Sequence, residues 1–405
     1  MVKPEIRLKG FKGEWSATQL SQIAKFSKGH GYSKSDLCEQ GTPIILYGRL
    51  YTNYSTEIDC VDTYVKMKEG SVLSKGGEII IPASGETPED IACASVVNRD
   101  GIILGGDLNI FSIDEKKYNP AFTALSITYG KVHNELAKYA QGKTVVHLHN
   151  AEISKATIQY PQGIEEQVAL ADYFKSLDSM IQGVTKKIAS LKQMKQACLV
   201  SMFPQAGETT PRVRFKGFKG EWENVSFKDI TYLSGTKNRD NLPLESYSIS
   251  NEKGFVPQNE QFEQGGTMAN ADKRLYYIVT PDSFAYNPAR INVGSIGYDD
   301  LDKDVIVSSL YVVFKTDDNT NIYFLNHWFK TPMFRNMIEL YQEGGVRLYF
   351  FYDKLCQCHF RRPCLAEQEK IASFFTSLDK QISLQEARLE KLKQIKAACL
   401  DKMFV

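Results

Sequence analysis

The heptapeptide KGFKGEW occurs twice in this chain, at residues 9–15 and 216–222. Seven identical residues that include a tryptophan, recurring half a chain later, mark an internal repeat. A repeat constrains the fold more strongly than any local propensity. The match extends outward: PEIRLKGFKGEW (4–15) and PRVRFKGFKGEW (211–222) agree at nine of twelve positions, and an isoleucine follows each at the same spacing, Ile23 and Ile230. A second pair begins later, EQVALADYFKSLDSMI (166–181) and EQEKIASFFTSLDKQI (367–382). Its continuations also match, LKQMKQACLVSMF ending at Phe203 and LKQIKAACLDKMF ending at Phe404. Between opening and tail lie two segments, about 24–160 and 231–362, that differ almost completely. A drifted duplication would blur ends and middle alike. Near-identity at the ends alone fits a scaffold with exchangeable inserts.

The constant tails have the pattern of long helices. Leu170, Phe174, Leu177, Ile181, Val184, Ile188, Leu191 and Cys198 recur at spacings of three, four and seven. Ile371, Phe375, Leu378, Ile382, Leu389, Leu392, Ile395 and Cys399 do the same. That is the stripe of a helix packed on another helix, and no proline interrupts either tail. At 1.5 Å per residue each 38-residue tail could reach roughly 57 Å. Each stripe is the simplest partner for the other, which predicts an antiparallel coiled coil about a pseudo-twofold axis, with the variable segments at opposite ends of a rod. Leu177, Ile181, Ile188, Leu191, Leu378, Ile382, Leu389 and Leu392 are its expected seam, and Cys198 and Cys399 its expected buried thiols. The charged residues between them read as solvated outer faces.

Both variable segments read as α+β. The first carries TPIILY, GEIIIP and GIILGG, then a helical pattern over 118–139; the second carries LYYIVT, SFAYNP and VIVSSLYVVF, then one over 323–341. Each closes on Tyr-x-x-Gly, at 139–142 and 341–344. Their loops are rich in groups that contact nucleic acid: Lys28, His30, Tyr32, Tyr47, Arg49, Tyr51, Ser84, Glu86, Lys143, His147 and His149 in the first. The second has Lys237, Asn238, Arg239, Asn287, Arg290, Asn292, Tyr298, Arg347 and Tyr349. Arg reads guanine, Asn reads adenine and Lys takes phosphate. Any one of these is ordinary surface; the signal is their clustering in two analogous domains.

Composition sets bounds. Hydrophobic residues make up 42% and charged residues 24% of 405, a globular balance that implies more than one domain. No apolar run is long enough for a membrane span and the start carries no signal-peptide core, so a cytoplasmic protein is expected. A net charge of +1 places any basic face locally or on partner subunits. Eight cysteines in so long a chain read as free thiols.

The variable–constant–variable–constant order, the P-x-[IV]-R-x-KGFKGEW openings and the EQ…F-x-SLD…LKQ-[MI]-K tails resemble the specificity subunit of type I restriction–modification enzymes. The resemblance covers the whole chain. It implies two target recognition domains (1–160 and 211–362), each followed by a conserved helical spacer (161–210 and 363–405). Each domain would read one half of a split, asymmetric site in double-stranded DNA. The helices would fix the gap and dock two modification subunits, which carry S-adenosylmethionine and methylate adenine. Two restriction subunits would add ATP- and Mg-dependent translocation and cleavage. The specificity subunit itself would do no chemistry and hold no cofactor.

Rival readings are a single-chain methyltransferase or nuclease, and a coiled-coil scaffold that binds only proteins. NPAF (119–122) and NPAR (287–290) approach the adenine methyltransferase pattern [ND]-PP-[YF], but both lack the second proline and no glycine-rich cofactor loop precedes them. The GKT at 142–144 lacks the upstream glycine of a phosphate-binding loop and follows a helical segment. Cys356, Cys358, His359 and Cys364 have a C-x-C spacing where zinc sites use C-x-x-C, so no metal is expected.

Overall fold

The computed structural model describes residues 3–142, 144–251, 254–261 and 272–404. The chain forms two compact units, residues 1–185 with 387–405, and residues 186–386. The division falls inside the two long helices, Ile164–Ser201 and Leu365–Met403. Each unit therefore contains the start of one long helix and the end of the other.

The variable segments share a topology that their sequences hide. In the first unit one sheet runs in the order Ala24–Lys28, Leu108–Ile113, Glu78–Pro82, Ser95–Val97, Glu57–Ile58; in the second, Thr231–Leu233, Val312–Thr316, Phe284–Tyr286, Ile296–Tyr298. The other sheet has a matching centre. Leu73–Lys75 pairs antiparallel with Asp100–Leu104, which pairs parallel with Thr42–Ile45. Tyr277–Val279, Val305–Val307 and Ser246–Ser250 repeat that arrangement. The apolar run GEIIIP is a strand buried on both faces. Its side chains alternate, Ile79 and Ile81 joining one core and Ile80 another. Phe284 and Tyr286 against Ala285 do the same. The run VIVSSLYVVF is two strands, because the chain turns at Ser308–Tyr311, where the Tyr311 amide donates to the Ser308 carbonyl.

Each helical segment predicted after the strands is also two pieces, Pro120–Tyr129 with Lys131–Tyr139 and Ile322–Trp328 with Pro332–Tyr341. Gly130 and Pro332 stand at the breaks, where glycine and proline stop a helix. Asn119 of NPAF is a helix cap, its side chain accepting from the Phe122 amide at 2.8 Å; Asn321 does the same for Phe324 at 2.9 Å.

The constant residues build one clasp, made twice. In the first unit the Arg7 guanidinium donates to both Glu166 carboxylate oxygens at 2.6 Å, to the Lys12 carbonyl at 2.9 Å and to the Gly13 carbonyl. In the second, Arg214 donates to both Glu367 oxygens at 2.7 Å and to the carbonyls of Lys219 and Gly220. The loop can fold around the arginine because Gly10, Gly13, Gly217 and Gly220 all adopt positive φ, between 81° and 104°. The next residue, Gln167 or Gln368, completes the joint. Its amide donates to the carbonyls of Pro161 and Lys117, or of Pro363 and Asn319, and its oxygen accepts from the amide of Asn119 or Asn321. Trp15 packs edge-on against Phe122, which meets Phe404; Trp222 packs against Phe324, which meets Phe203. The Ile6 amide donates to Lys402 at the end of one long helix, the Val213 amide to Ser201 at the end of the other.

Within each unit the two helix portions are antiparallel. In the first, Leu170, Phe174 and Leu177 pack with Leu400, Met403 and Phe404, and Lys396 pairs with Asp178 at 2.5 Å. In the second, Leu191 packs with Leu378 and Ile382, Lys192 pairs with Glu386 at 2.7 Å, and Lys195 pairs with Asp379. Ile188 is buried, while Ile181, Leu389 and Leu392 are half-buried. Two seam expectations need correction. Ile395 is 38% exposed, and Cys198 and Cys399 are half-buried, because at the helix ends the apolar contacts pass to Leu199, Leu400 and the terminal phenylalanines. Cys356 and Cys358 stand at the end of the helix Tyr352–Gln357, and burial pushes the Cys358 thiol up to about 12.

Removing Arg7 leaves a buried glutamate unpaired, so Arg7→Ala should cost about 3 kcal/mol. Arg214→Ala should do the same to the second unit. Denaturant unfolding followed by tryptophan fluorescence checks both. Adding Glu166→Gln to Arg7→Ala should recover part of the loss, whereas Arg7→Lys should fall short because it lacks the planar fork.

His327 distinguishes the second unit from the first, where Leu125 holds the same helical position. It is 3% exposed, packs on Phe375 with ring centroids 5.1 Å apart, and its Nδ1 has no hydrogen-bond partner among the described residues. Burial, then the charges of Lys330 and Lys195, holds it down to about 3. The folded protein therefore resists a proton that the unfolded chain accepts near pH 6.5. The stability this provides is complete above pH 6.5 and is lost as the pH falls toward 3, by about 1.4 kcal/mol per pH unit. His327→Leu should flatten that acid limb in a pH series of unfolding curves.

Candidate nucleic-acid interface

In the first unit, backbone hydrogen bonds knit five loops together. The Gly106 amide donates to Gly31 at 2.6 Å, Gly105 to Ile45 at 3.0 Å, Ala83 to Asp107 at 2.8 Å and Leu148 to Ala83 at 3.0 Å. This gathers Lys28, His30, Tyr47, Arg49, Tyr51, Ser84, Glu86 and His147 onto connected loops. Close approach requires glycine here. A Cβ on Gly29 would stand 1.8 Å from the Gly105 carbonyl oxygen, and one on Gly85 2.2 Å from Ile91 Cγ2.

Ser84 is buried, and its hydroxyl meets His147 Nδ1 at 3.0 Å, so it orients the histidine and is not itself a surface contact. His147 and His149 are exposed and stack nearly parallel at 6.2 Å. Tyr47 and Tyr51 lie 6.4 Å apart, flanking Arg49 on the short helix Arg49–Thr52. Lys28, His30 and Glu86 are exposed. Tyr32 departs from expectation. Its hydroxyl accepts from the Lys68 amide at 2.7 Å and meets the Ser71 hydroxyl at 2.5 Å, so it braces the 68–71 turn. Lys143 lies outside the described residues.

The second unit has the same frame. The Phe350 amide donates to the Pro288 carbonyl at 3.0 Å, as Leu148 does to Ala83. Glu343 and Tyr349 exchange backbone hydrogen bonds at 2.9 and 2.8 Å, as Gln141 and His147 do at 3.0 and 2.8 Å. Each of these loops turns on a glycine of positive φ, Gly142 at 137° and Gly344 at 136°, which explains the shared Tyr-x-x-Gly. Tyr349 and Phe351 stack at 5.4 Å with planes 2° apart, the positions of the histidine pair. They line a cleft of about 540 Å³ with Asn287, Pro288, Ala289, Arg290, Ser309, Leu310 and Arg347. Four predicted residues thus come together: Asn287, Arg290, Arg347 and Tyr349. Arg290 and Arg347 are exposed.

The other predictions in this unit scatter. Asn292 is exposed on the short helix Ile291–Val293, outside this cleft. Lys237 and Arg239 are exposed at the edge strand Thr236–Lys237, on the side of the sheet away from Gly254–Pro257. Asn238 is 1% exposed and its amide group both donates to and accepts from the Leu242 backbone, so it holds a turn. Tyr298 is half-buried against Phe284 and Tyr323. Leu310 and Phe351 were not legible as site residues; the only signal is the pair of serines that interrupts VIVSSLYVVF.

The protein is thus an α+β unit made twice, with Arg, His and aromatic side chains at the loop end of the first and Arg, Asn and aromatic side chains at that of the second, each unit leading into a long helix. The chain belongs to the type I restriction modification DNA specificity domain family, whose model matches residues 12–193 and again 219–394. Its fold is similar to that of the S subunit of a type I restriction–modification system from M. genitalium, with a TM-score of 0.64 at 12% identity, covering 100% of this chain and 99% of that one. A second similar structure, titled for the complex assembly and conformational transition of the type I R-M system, gives 0.52 at 13% identity, covering 97% and 98%. No curated protein matches the sequence. Among the described residues no helix is long and apolar enough to cross a membrane.

If the cleft touches base edges, Arg290→Ala or Arg347→Ala should weaken binding to a preferred duplex by about 1–3 kcal/mol. Asn238→Ala should instead lower stability by about 1–2 kcal/mol with sequence preference unchanged. Fluorescence anisotropy beside thermal melting separates the two.

Proposed function

We propose that this chain is the non-catalytic DNA-reading subunit of a type I restriction–modification assembly, each unit reading one half of a split, asymmetric site in double-stranded DNA. The observation that carries this is that one frame presents two different sets of side chains at equivalent loops: the stacked His147 and His149 in one unit, the Asn287, Arg290, Arg347 and Tyr349 group in the other. A frame kept constant while its reading side chains differ suits two half-sites of different sequence. The long helices set the gap between half-sites and dock two modification subunits. Those subunits bring S-adenosylmethionine and the chemistry of adenine methylation; two restriction subunits bring ATP- and Mg-dependent translocation and cleavage.

Methylome sequencing of cells carrying the chain and its partners tests this. The wild type should give one bipartite motif. Replacing residues 16–160 with the matching segment of a related subunit should change one half of that motif and leave the other. Inserting four residues after Ala189, about 6 Å of helix with the stripe's phase nearly kept, should lengthen the unspecified gap by about one or two base pairs. A motif changed in both halves by the swap would refute independent reading heads. A gap unmoved by the insertion would remove the helices' role as spacer.

A further inference from the structure

The cleft of the second unit holds an apolar group that its DNA-reading role has not used. Leu310 is 67% exposed and Phe351 44%, and both line the same space as Asn287, Arg290 and Arg347. Leu310 sits at the tip of the turn that splits VIVSSLYVVF, its amide donating to the Ser308 hydroxyl at 3.4 Å. Ser308 is buried and the flanking strands are paired, so the leucine projects from a braced base. Opposite, Phe351 adjoins Phe350, which is fully buried and bonded to Pro288. Among the described residues, this leucine stands on a braced turn beside two arginines and an asparagine and meets no apolar partner large enough to cover it. In the first unit the matching turn is Gly105-Gly106-Asp107, which offers no apolar side chain.

Duplex DNA offers one apolar group in its major groove, the C5-methyl of thymine, and apolar side chains read it by contact. Resting on the reading of this cleft as a half-site reader, we propose that Leu310, backed by Phe351, is a specificity-determining residue that selects a thymine by its methyl group in the half-site of the second unit. The polar side chains around it supply the hydrogen bonds to neighbouring base edges. The matching turn of the first unit carries no such side chain, so Leu310 acts on the second half-site alone.

The test uses the full-length chain and duplexes selected from a randomised pool. The preferred second half-site should contain a thymine at a fixed position. Replacing it by deoxyuridine, which lacks only the methyl, should weaken binding about fourfold, the worth of one buried methyl group. Leu310→Ala alters an exposed side chain, so the fold should melt as before. That variant should bind the thymine and deoxyuridine duplexes alike and keep its preference in the first half-site. A second half-site without a fixed thymine, no loss with deoxyuridine at any thymine there, or an unchanged deoxyuridine penalty in Leu310→Ala would each overturn the proposal. Arg347→Ala separates the two levels. If it loses binding while the methyl arms fail, the cleft still reads DNA and only the methyl assignment falls; if Arg347→Ala and Leu310→Ala both bind like the wild type, the DNA reading of the cleft falls as well.

Discussion

Two buried carboxylates organise this protein. Glu166 and Glu367 stand in the first turns of the two long helices, 4% and 1% exposed, and each is held bidentately by an arginine from a segment over 150 residues earlier. A buried carboxylate without a partner is costly, and the fork of an arginine is the group that satisfies both its oxygens. The arginine must in turn be enclosed, and the glycine-bearing loop supplies carbonyls for its remaining N–H groups. One electrostatic requirement thus fixes the loop, the helix start and, through the adjoining glutamine, the capped helix of the variable domain. The constant sequence is constant because it is a joint, and a joint must keep its shape while what it carries changes.

What it carries is a frame of two sheets whose central strand order recurs in both units while the edge strands and loops differ. Strand interiors need only apolar residues of suitable size, so the two copies diverge there without losing topology. Backbone hydrogen bonds between the loops, from Leu148 to Ala83 and from Phe350 to Pro288, hold the loop end in shape independently of side-chain identity. Side chains at that end are free to vary, which is the property a family of DNA-specificity domains needs.

Part of the candidate site was legible in outline. Asn287, Arg290, Arg347 and Tyr349 are distant in sequence yet share one cleft, and His147 and His149 stack at the position of Tyr349 and Phe351. Residue type alone could not separate these from Asn238, which looks like a base reader and is spent on a turn, or from Tyr32 and Tyr298, which brace and pack. Asn, Tyr and Ser serve local structure and recognition with the same atoms, and only burial tells which. Leu310 escaped for the opposite reason: leucine in an apolar run reads as core, and the turn that exposes it is marked only by two serines.

The sequence by itself determined the repeat, the long helices with their apolar stripe and the α+β character of the inserts. All three are periodic or self-matching patterns, which local chain geometry translates directly into structure. Tertiary structure decided that each unit joins the start of one helix to the end of the other, that Arg7 and Arg214 answer Glu166 and Glu367, and that the two dissimilar inserts share the central strand order of both sheets. Each of these depends on which distant residues meet. That is settled by burying apolar surface and satisfying buried charge across the whole chain at once, and no window of sequence contains both partners.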